Sequence, residues 1–211
     1  YKGIPEIFGK TKELIEKNSI FQEYNIKVEH YIVSTGMVEM IKGSIIKEYV
    51  EDIWGCELIQ AKDENGNFEI SEIGYTIDNT SKTRAIFEIN KGVNKNTGYD
   101  VNAKIKEGNR RVLFKNMIYI ADGDVPAFSL IKKGGGSTFA IYPKSDLKAF
   151  KQVEKLREDN RVDMYAEADY SEGTTTYMWI MSKIQELAQS IVDEEKSRLA
   201  ASISDSPKHL N

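Results

Sequence analysis

Two acidic side chains stand on either side of a glycine where an apolar segment ends. Residues 116–120 are mostly apolar and run into Ala-Asp-Gly-Asp, which contains Asp122 and Asp124. Mg²⁺ is bound in proteins through one or two carboxylates and keeps several of its waters. The pair therefore predicts a hard-oxygen metal site for Mg²⁺, and the alternative is an acidic loop that is only solvated.

A second candidate site follows the β-prone segment 31–33. Ser34, Thr35 and Gly36 come directly after it and precede a segment with helical apolar spacing, so we expect a strand that ends in a tight turn before a helix. Hydroxyls and free backbone N–H groups at such a turn bind anions, and the positive end of the following helix favours them. The turn predicts a phosphate site, although Ser and Thr at this place also serve as helix caps.

Lys82 lies at the start of a predicted helix, residues 80–92, with Ser81 or Thr80 as the expected cap. Its ammonium group would balance the charge of a bound phosphate. A metal, a nest of N–H groups and a lysine together are what phosphoryl transfer requires, because its catalysis consists mostly of positioning and charge neutralisation. A single lysine is usually a surface residue, so the order of the three features carries the prediction.

Strands and helices alternate along most of the chain. The pattern predicts strands at residues 31–33, 52–58, 116–120, 138–142 and 162–165 and helices at 4–16, 37–49, 80–92, 127–133, 146–160 and 174–200. Segment 60–75 is predicted as a surface excursion or short hairpin, and 93–110 as a charged loop. Such alternation predicts an α/β fold with a mostly parallel sheet and helices on both faces, in which a ligand binds beyond the carboxyl ends of the strands.

Composition narrows the classes of function. The chain has 211 residues and a formal net charge of -4, which suits one domain that does not bind nucleic acid. The single cysteine, Cys56, excludes an intrachain disulfide and a cysteine metal site, and the two histidines argue against zinc. No apolar run approaches the roughly 18 residues of a membrane span. We therefore expect a cytoplasmic protein with no membrane partner.

The motifs resemble those of the haloacid dehalogenase (HAD) superfamily of hydrolases. IVSTG is similar to the second motif, SKTRAI to the third and MIYIADGDVPAFS to the fourth, and the likeness to a group of uncharacterised bacterial members covers nearly the whole chain. The resemblance implies a Rossmann-like fold and a Mg²⁺-dependent phosphatase acting on a small phosphate monoester through an aspartyl-phosphate. It makes Ser34 the phosphate-binding hydroxyl, Lys82 the neutralising base, Asp122 a Mg²⁺ ligand and Asp124 its partner.

Two departures from the superfamily pattern leave alternatives open. No DxDx(T/V) motif precedes residue 27, so the nucleophilic Asp and the acid/base Asp are missing, and the fourth motif is two residues shorter than usual. One interpretation is that residues 1–211 form a HAD-like core whose nucleophile strand and cap lie outside this sequence. The other is a non-catalytic binding or scaffold protein on the same fold. A third interpretation is that Asp122-Gly-Asp124-Val is the nucleophile motif itself.

Overall fold

The computed structural model describes residues 1–96, 98 and 100–204. Two positions of the predicted loop 93–110 and the end of the predicted 1–211 domain lie outside the described residues. The helices are α1 (Glu6–Glu16), α2 (Ser19–Glu23), α3 (Val38–Lys42), α4 (Lys82–Lys91), α5 (Val125–Lys133), α6 (Leu147–Glu158) and α7 (Thr175–Ser204). None of the described helices combines the length and the apolar character needed to cross a membrane.

The described strands form two three-stranded sheets. The first contains β1 (Tyr31–Met37), β2 (Asp52–Lys62) and β3 (Phe68–Tyr75), with β1 parallel to β2 and β3 antiparallel to it. The second contains β4 (Ile118–Ala121), β5 (Ser137–Tyr142) and β6 (Met164–Glu167), all parallel. The α/β class and the parallel strands are confirmed. Among the described residues β1 and β4 do not pair with each other, so the strands form two separate sheets.

The main core lies on both faces of β5. Phe139 and Ile141 pack with Ile7 of α1 and Ile180 of α7 on one face. Ala140, between them, packs on the opposite face with Phe128 of α5 and Val153 of α6. A parallel strand covered on both sides needs an uninterrupted apolar sequence, and this explains the apolar run in β5. Helices on both faces are thus confirmed for the second sheet.

The two sheets are connected at several points. Arg111, which precedes β4, donates to Glu29 and, at 3.0 Å, to the hydroxyl of Tyr31 at the start of β1. Helix α4 packs against both β1 and α5. Yet β1 and β4 each form an edge of their sheet, and all four residues of β4 are only half-buried. The partial exposure of β4 follows because one of its edges has no partner strand in the described part of the chain.

Several local predictions need correction. The helix predicted at 37–49 is split into α3 and a 3₁₀ segment, Ile45–Tyr49, because the chain turns at Gly43 and Ser44. The short hairpin predicted as one alternative for 60–75 is confirmed, although its strand β2 begins earlier, at Asp52, and its pairing with β3 contains two register shifts. Helix α4 is not capped by Ser81 or Thr80; instead the Asp78 carboxylate accepts from both of their backbone N–H groups.

Candidate functional site

The centre of the candidate site is a buried ion pair between two of the predicted residues. The Lys82 ammonium at the first turn of α4 donates to both carboxylate oxygens of Asp124, at 2.8 and 2.9 Å. The side chains are 9% and 7% exposed, so water screens their attraction little. Asp124 sits at the N-cap position of α5, immediately after β4. The pair joins the third and fourth motifs, 42 residues apart, into one site.

Tyr119 is a third member of the site that sequence reasoning missed. Its hydroxyl donates to Asp124 Oδ2 at 2.8 Å, and its ring meets Phe128 edge-on with centroids 5.5 Å apart. Burial, and after it the negative charge of Asp124, raise the pKa of the Tyr119 phenol, which therefore stays a neutral donor. The available signal was a tyrosine inside an apolar strand, since a buried Tyr hydroxyl normally has a hydrogen-bond partner.

Asp122 differs sharply from Asp124 in its surroundings. It is exposed at the end of β4, and its carboxylate makes no hydrogen bond or ion pair with any described residue. Its charge nevertheless contributes to raising the pKa values of Tyr119 and Tyr170, both of which are raised chiefly by burial. Asp122 is thus a free carboxylate at the carboxyl edge of the parallel sheet.

The side chain of Gln152, on α6, lies close to Gly123. A Cβ atom on Gly123 would lie 2.6 Å from the Gln152 side-chain nitrogen, which belongs to an exposed, flexible side chain that can move aside. Gln152 is a further neighbour of the site that sequence reasoning did not select, because it lies on an ordinary helix face.

Ser34, Thr35 and Gly36 form a bulge within β1, whereas a turn at the end of the strand was predicted. Val33 pairs with Trp54 and Met37 with Cys56, so four steps along β1 match two along β2. The excess is accommodated where Gly36 approaches Gly55, since a Cβ on Gly55 would meet the Gly36 carbonyl oxygen at 2.6 Å. Bulges often redirect side chains beside active sites.

The groups of the bulge are only partly available to an anion. Ser34 Oγ accepts from the Gly36 N–H at 3.0 Å, which leaves the hydroxyl proton of Ser34 free to donate. Thr35 is exposed, and its carbonyl oxygen accepts from the Cys56 thiol at 3.3 Å. The helix that follows, α3, has only five residues, so the strong helix dipole expected behind this site is not present.

The structure brings together Lys82, Asp124 and Tyr119, with Asp122 beside them. Among the described residues no hydrogen bond or ion pair joins the Ser34–Gly36 bulge to these four. The role of the bulge in phosphate binding therefore stays a prediction. So do the catalytic roles of Ser34 and Lys82.

The donors of this edge fit a magnesium ion in part. Among the described residues no three His, Cys, Asp or Glu side chains converge on one point. Mg²⁺ in proteins needs only one or two carboxylates in addition to water and substrate oxygens, and Asp122 has an exposed carboxylate of this kind. Asp124 is 5% exposed and accepts hydrogen bonds from Lys82 and Tyr119. These contacts fit a residue that orients the lysine better than they fit a direct Mg²⁺ ligand.

Comparison with known proteins gives one uncharacterised relative. The chain is 38% identical over 194 residues to an uncharacterised protein of Borreliella burgdorferi, and the alignment covers 84% of this chain. It spans 65% of the length of that protein. No family model matches the sequence. No solved structure matches it either.

Proposed function

We propose that the protein is a Mg²⁺-dependent phosphohydrolase of the HAD-like, Rossmann-fold type that acts on a small phosphate monoester. The buried pair of Lys82 and Asp124 next to the free carboxylate of Asp122 carries this proposal. A cation, a fixed counter-ion and an available metal ligand occur together at the carboxyl edge of a parallel sheet, where ligands bind in α/β folds.

Stability alone is a poor explanation of the buried pair. Removing two charges from water costs several kcal/mol per ion, and apolar residues of similar volume often replace such pairs without loss. The pair between Lys82 and Asp124 is therefore better explained by a need for a positioned ammonium group.

Each residue has a distinct task in the proposed reaction. Asp124 and Tyr119 hold the Lys82 side chain in place, and the ammonium neutralises an oxygen of the bound phosphate. Asp122 would hold Mg²⁺, which when bound neutralises further phosphate charge. The free hydroxyl proton of Ser34 would donate to another phosphate oxygen.

Two of the four edge strands of the described sheets, β1 and β4, support the HAD-like fold. They carry the segments similar to the second and fourth motifs, and Arg111, in the segment before β4, donates to Tyr31 at the start of β1. In the proposal, a strand with the DxDx(T/V) motif lies between them and presents the nucleophilic Asp beside Asp122. The single, half-buried Cys56 is consistent with the reducing cytoplasmic location that we propose.

Hydrolysis of p-nitrophenyl phosphate by the full-length natural protein tests the proposal. We expect turnover that requires Mg²⁺ and is abolished by Asp122→Asn, whose exposed side chain should leave folding intact. Glu172→Asn, an exposed change in another loop, is the matched control and should retain activity. A folded full-length protein without Mg²⁺-dependent turnover would favour the non-catalytic binding or scaffold protein instead.

A further inference from the structure

A cavity of about 440 Å³ opens at the carboxyl ends of β5 and β6. It lies on the same edge of the sheet as Asp122, because β4, β5 and β6 are parallel neighbours. Adjacent strands are separated by about 4.8 Å, so the cavity is one to two strand spacings from the end of β4. A small molecule could thus touch both places.

Two aromatic residues, Tyr142 and Tyr165, are among those that line this cavity. Tyr142, at the end of β5, and Tyr165, in β6, have ring centroids 6.3 Å apart and planes inclined by 56°. Phe150 of α6 packs edge-on against both, at 5.4 and 5.9 Å, and fixes their orientation. Rigid aromatic faces of this kind attract cations through the negative potential of the ring.

Glu167 supplies an uncompensated negative charge to the lining. Its side chain is exposed and has no hydrogen bond or ion pair with the described residues. Asp169, the other acidic residue of the lining, is already engaged by the Ser171 N–H at 2.9 Å and by Lys2 at 3.3 Å. None of the eight described residues that line the cavity is a lysine or arginine.

The start of α7 also borders the cavity, where its first backbone N–H groups carry partial positive charge. The Thr174 hydroxyl accepts from the Tyr177 N–H and donates to backbone carbonyl oxygens of Asp169 and Ser171. The Thr176 hydroxyl donates to the Glu167 carbonyl oxygen at 2.5 Å. These hydroxyls are therefore used within the protein, and an anion would also meet the Glu167 carboxylate.

We propose that this cavity binds an organic ammonium group, with Glu167 as its counter-ion and the faces of Tyr142 and Tyr165 as its walls. The assignment of a substrate class rests in addition on the proposed function. With phosphate at Lys82 and Asp122 and the ammonium group in the cavity, the substrate is a phosphate monoester of a short amino alcohol.

Calorimetric titration with choline and with its neutral isostere 3,3-dimethylbutan-1-ol tests the site itself. The two probes have the same shape and differ in charge. We expect choline to bind at least about tenfold more tightly, as a partly desolvated cation–π contact beside a carboxylate predicts. Glu167→Gln and Tyr165→Leu should each weaken choline about tenfold, while Glu172→Gln, in a nearby exposed position, should not. Equal affinity for the two probes, or an unchanged affinity in Glu167→Gln, would overturn the proposal, as would inorganic phosphate competing with choline for the cavity.

Turnover separates this inference from the proposed function. The full-length protein should hydrolyse phosphocholine faster than 3,3-dimethylbutyl phosphate, and Glu167→Gln should remove the difference. Equal rates on both esters would contradict the substrate class and leave the phosphatase proposal standing. Absence of turnover on both would contradict the phosphatase proposal and with it the substrate class, while choline affinity would still decide the ammonium site.

Discussion

The buried pair of Lys82 and Asp124 makes the sharpest energetic prediction. Lys82→Met leaves the Asp124 carboxylate, 7% exposed, with Tyr119 as its remaining side-chain donor. Removing one partner of a buried pair costs about 3–5 kcal/mol, because the other charge stays buried and unpaired. Asp124→Asn should cost somewhat less, since the amide oxygen can still accept from the lysine.

The double variant Lys82→Met/Asp124→Asn contains no buried charge at this place. It should therefore be less destabilised than the sum of the two single variants, with a coupling of about 2 kcal/mol or more. Urea unfolding followed by tryptophan fluorescence gives the free energies, and equal m values confirm that compactness is unchanged. The exposed pair of Lys42 and Glu39, 48% and 71% exposed, is the control and should show a coupling below about 0.5 kcal/mol. If the two single variants lose free energies of unfolding that sum to the loss of the double variant, the interpretation of Lys82 and Asp124 as a buried, unscreened pair is refuted.

Three further predictions concern the surroundings of the site. Burial and the charge of Lys12 lower the pKa of His30 to about 4, so the unfolded chain binds the proton more readily than the folded protein does. The free energy of unfolding should therefore fall by up to about 3 kcal/mol as the pH drops from 6.5 towards 4. In urea titrations, His30→Gln should make this pH dependence weaker. Gly55→Ala should destabilise the protein, because the new Cβ would lie 2.6 Å from the Gly36 carbonyl oxygen. Its control, Gly9→Ala, places a Cβ in open space within α1 and should stabilise the protein by about 0.5–1 kcal/mol. A melting temperature that rises in both variants would contradict the close approach of Gly55 to Gly36. Tyr119→Phe should cost about 1–2 kcal/mol through the lost donor to Asp124, and a thermal midpoint identical to that of the unaltered protein would show that this hydrogen bond is not formed.

The contacts of His30 could not be predicted from the sequence. Its ring packs on Phe8, with centroids 4.7 Å apart. The Thr11 hydroxyl donates to the Phe8 carbonyl oxygen and lies 2.9 Å from His30 Nε2. The other ring nitrogen, Nδ1, is buried. No pattern in the sequence connects Thr11 to His30, because the contact depends on how α1 crosses the start of β1.

Apolar periodicity predicted most of the helices and strands correctly. The six-residue β5 and the 30-residue α7 lie close to the predicted segments, because long periodic or continuous apolar runs leave little choice of structure. The prediction of one helix at 37–49 was wrong, because Gly43 and Ser44 interrupt it. The bulge at Ser34 could not be foreseen, since the register of β1 against β2 is set by pairing between distant residues.

The sequence predicted which charged residues belong to the candidate site, but it did not predict which of them pair with each other. Motif order selected Lys82, Asp122 and Asp124, yet only the packing of α4 on α5 brings the lysine to one aspartate and leaves the other free. The part played by Tyr119 follows from its place on the strand before the aspartates, where its hydroxyl reaches Asp124 five residues later.

In our proposal, the edge formed by Asp122 and Lys82 binds phosphate together with Mg²⁺. Calorimetric titration of orthovanadate, a phosphate mimic, into the full-length natural protein, with and without Mg²⁺, measures this binding. We expect binding that requires Mg²⁺, is lost in Asp122→Asn, and is lost in Lys82→Met/Asp124→Asn, a variant that leaves no unpaired buried charge to unfold the protein. Binding of equal strength without Mg²⁺, or unchanged binding in both folded variants, would contradict it.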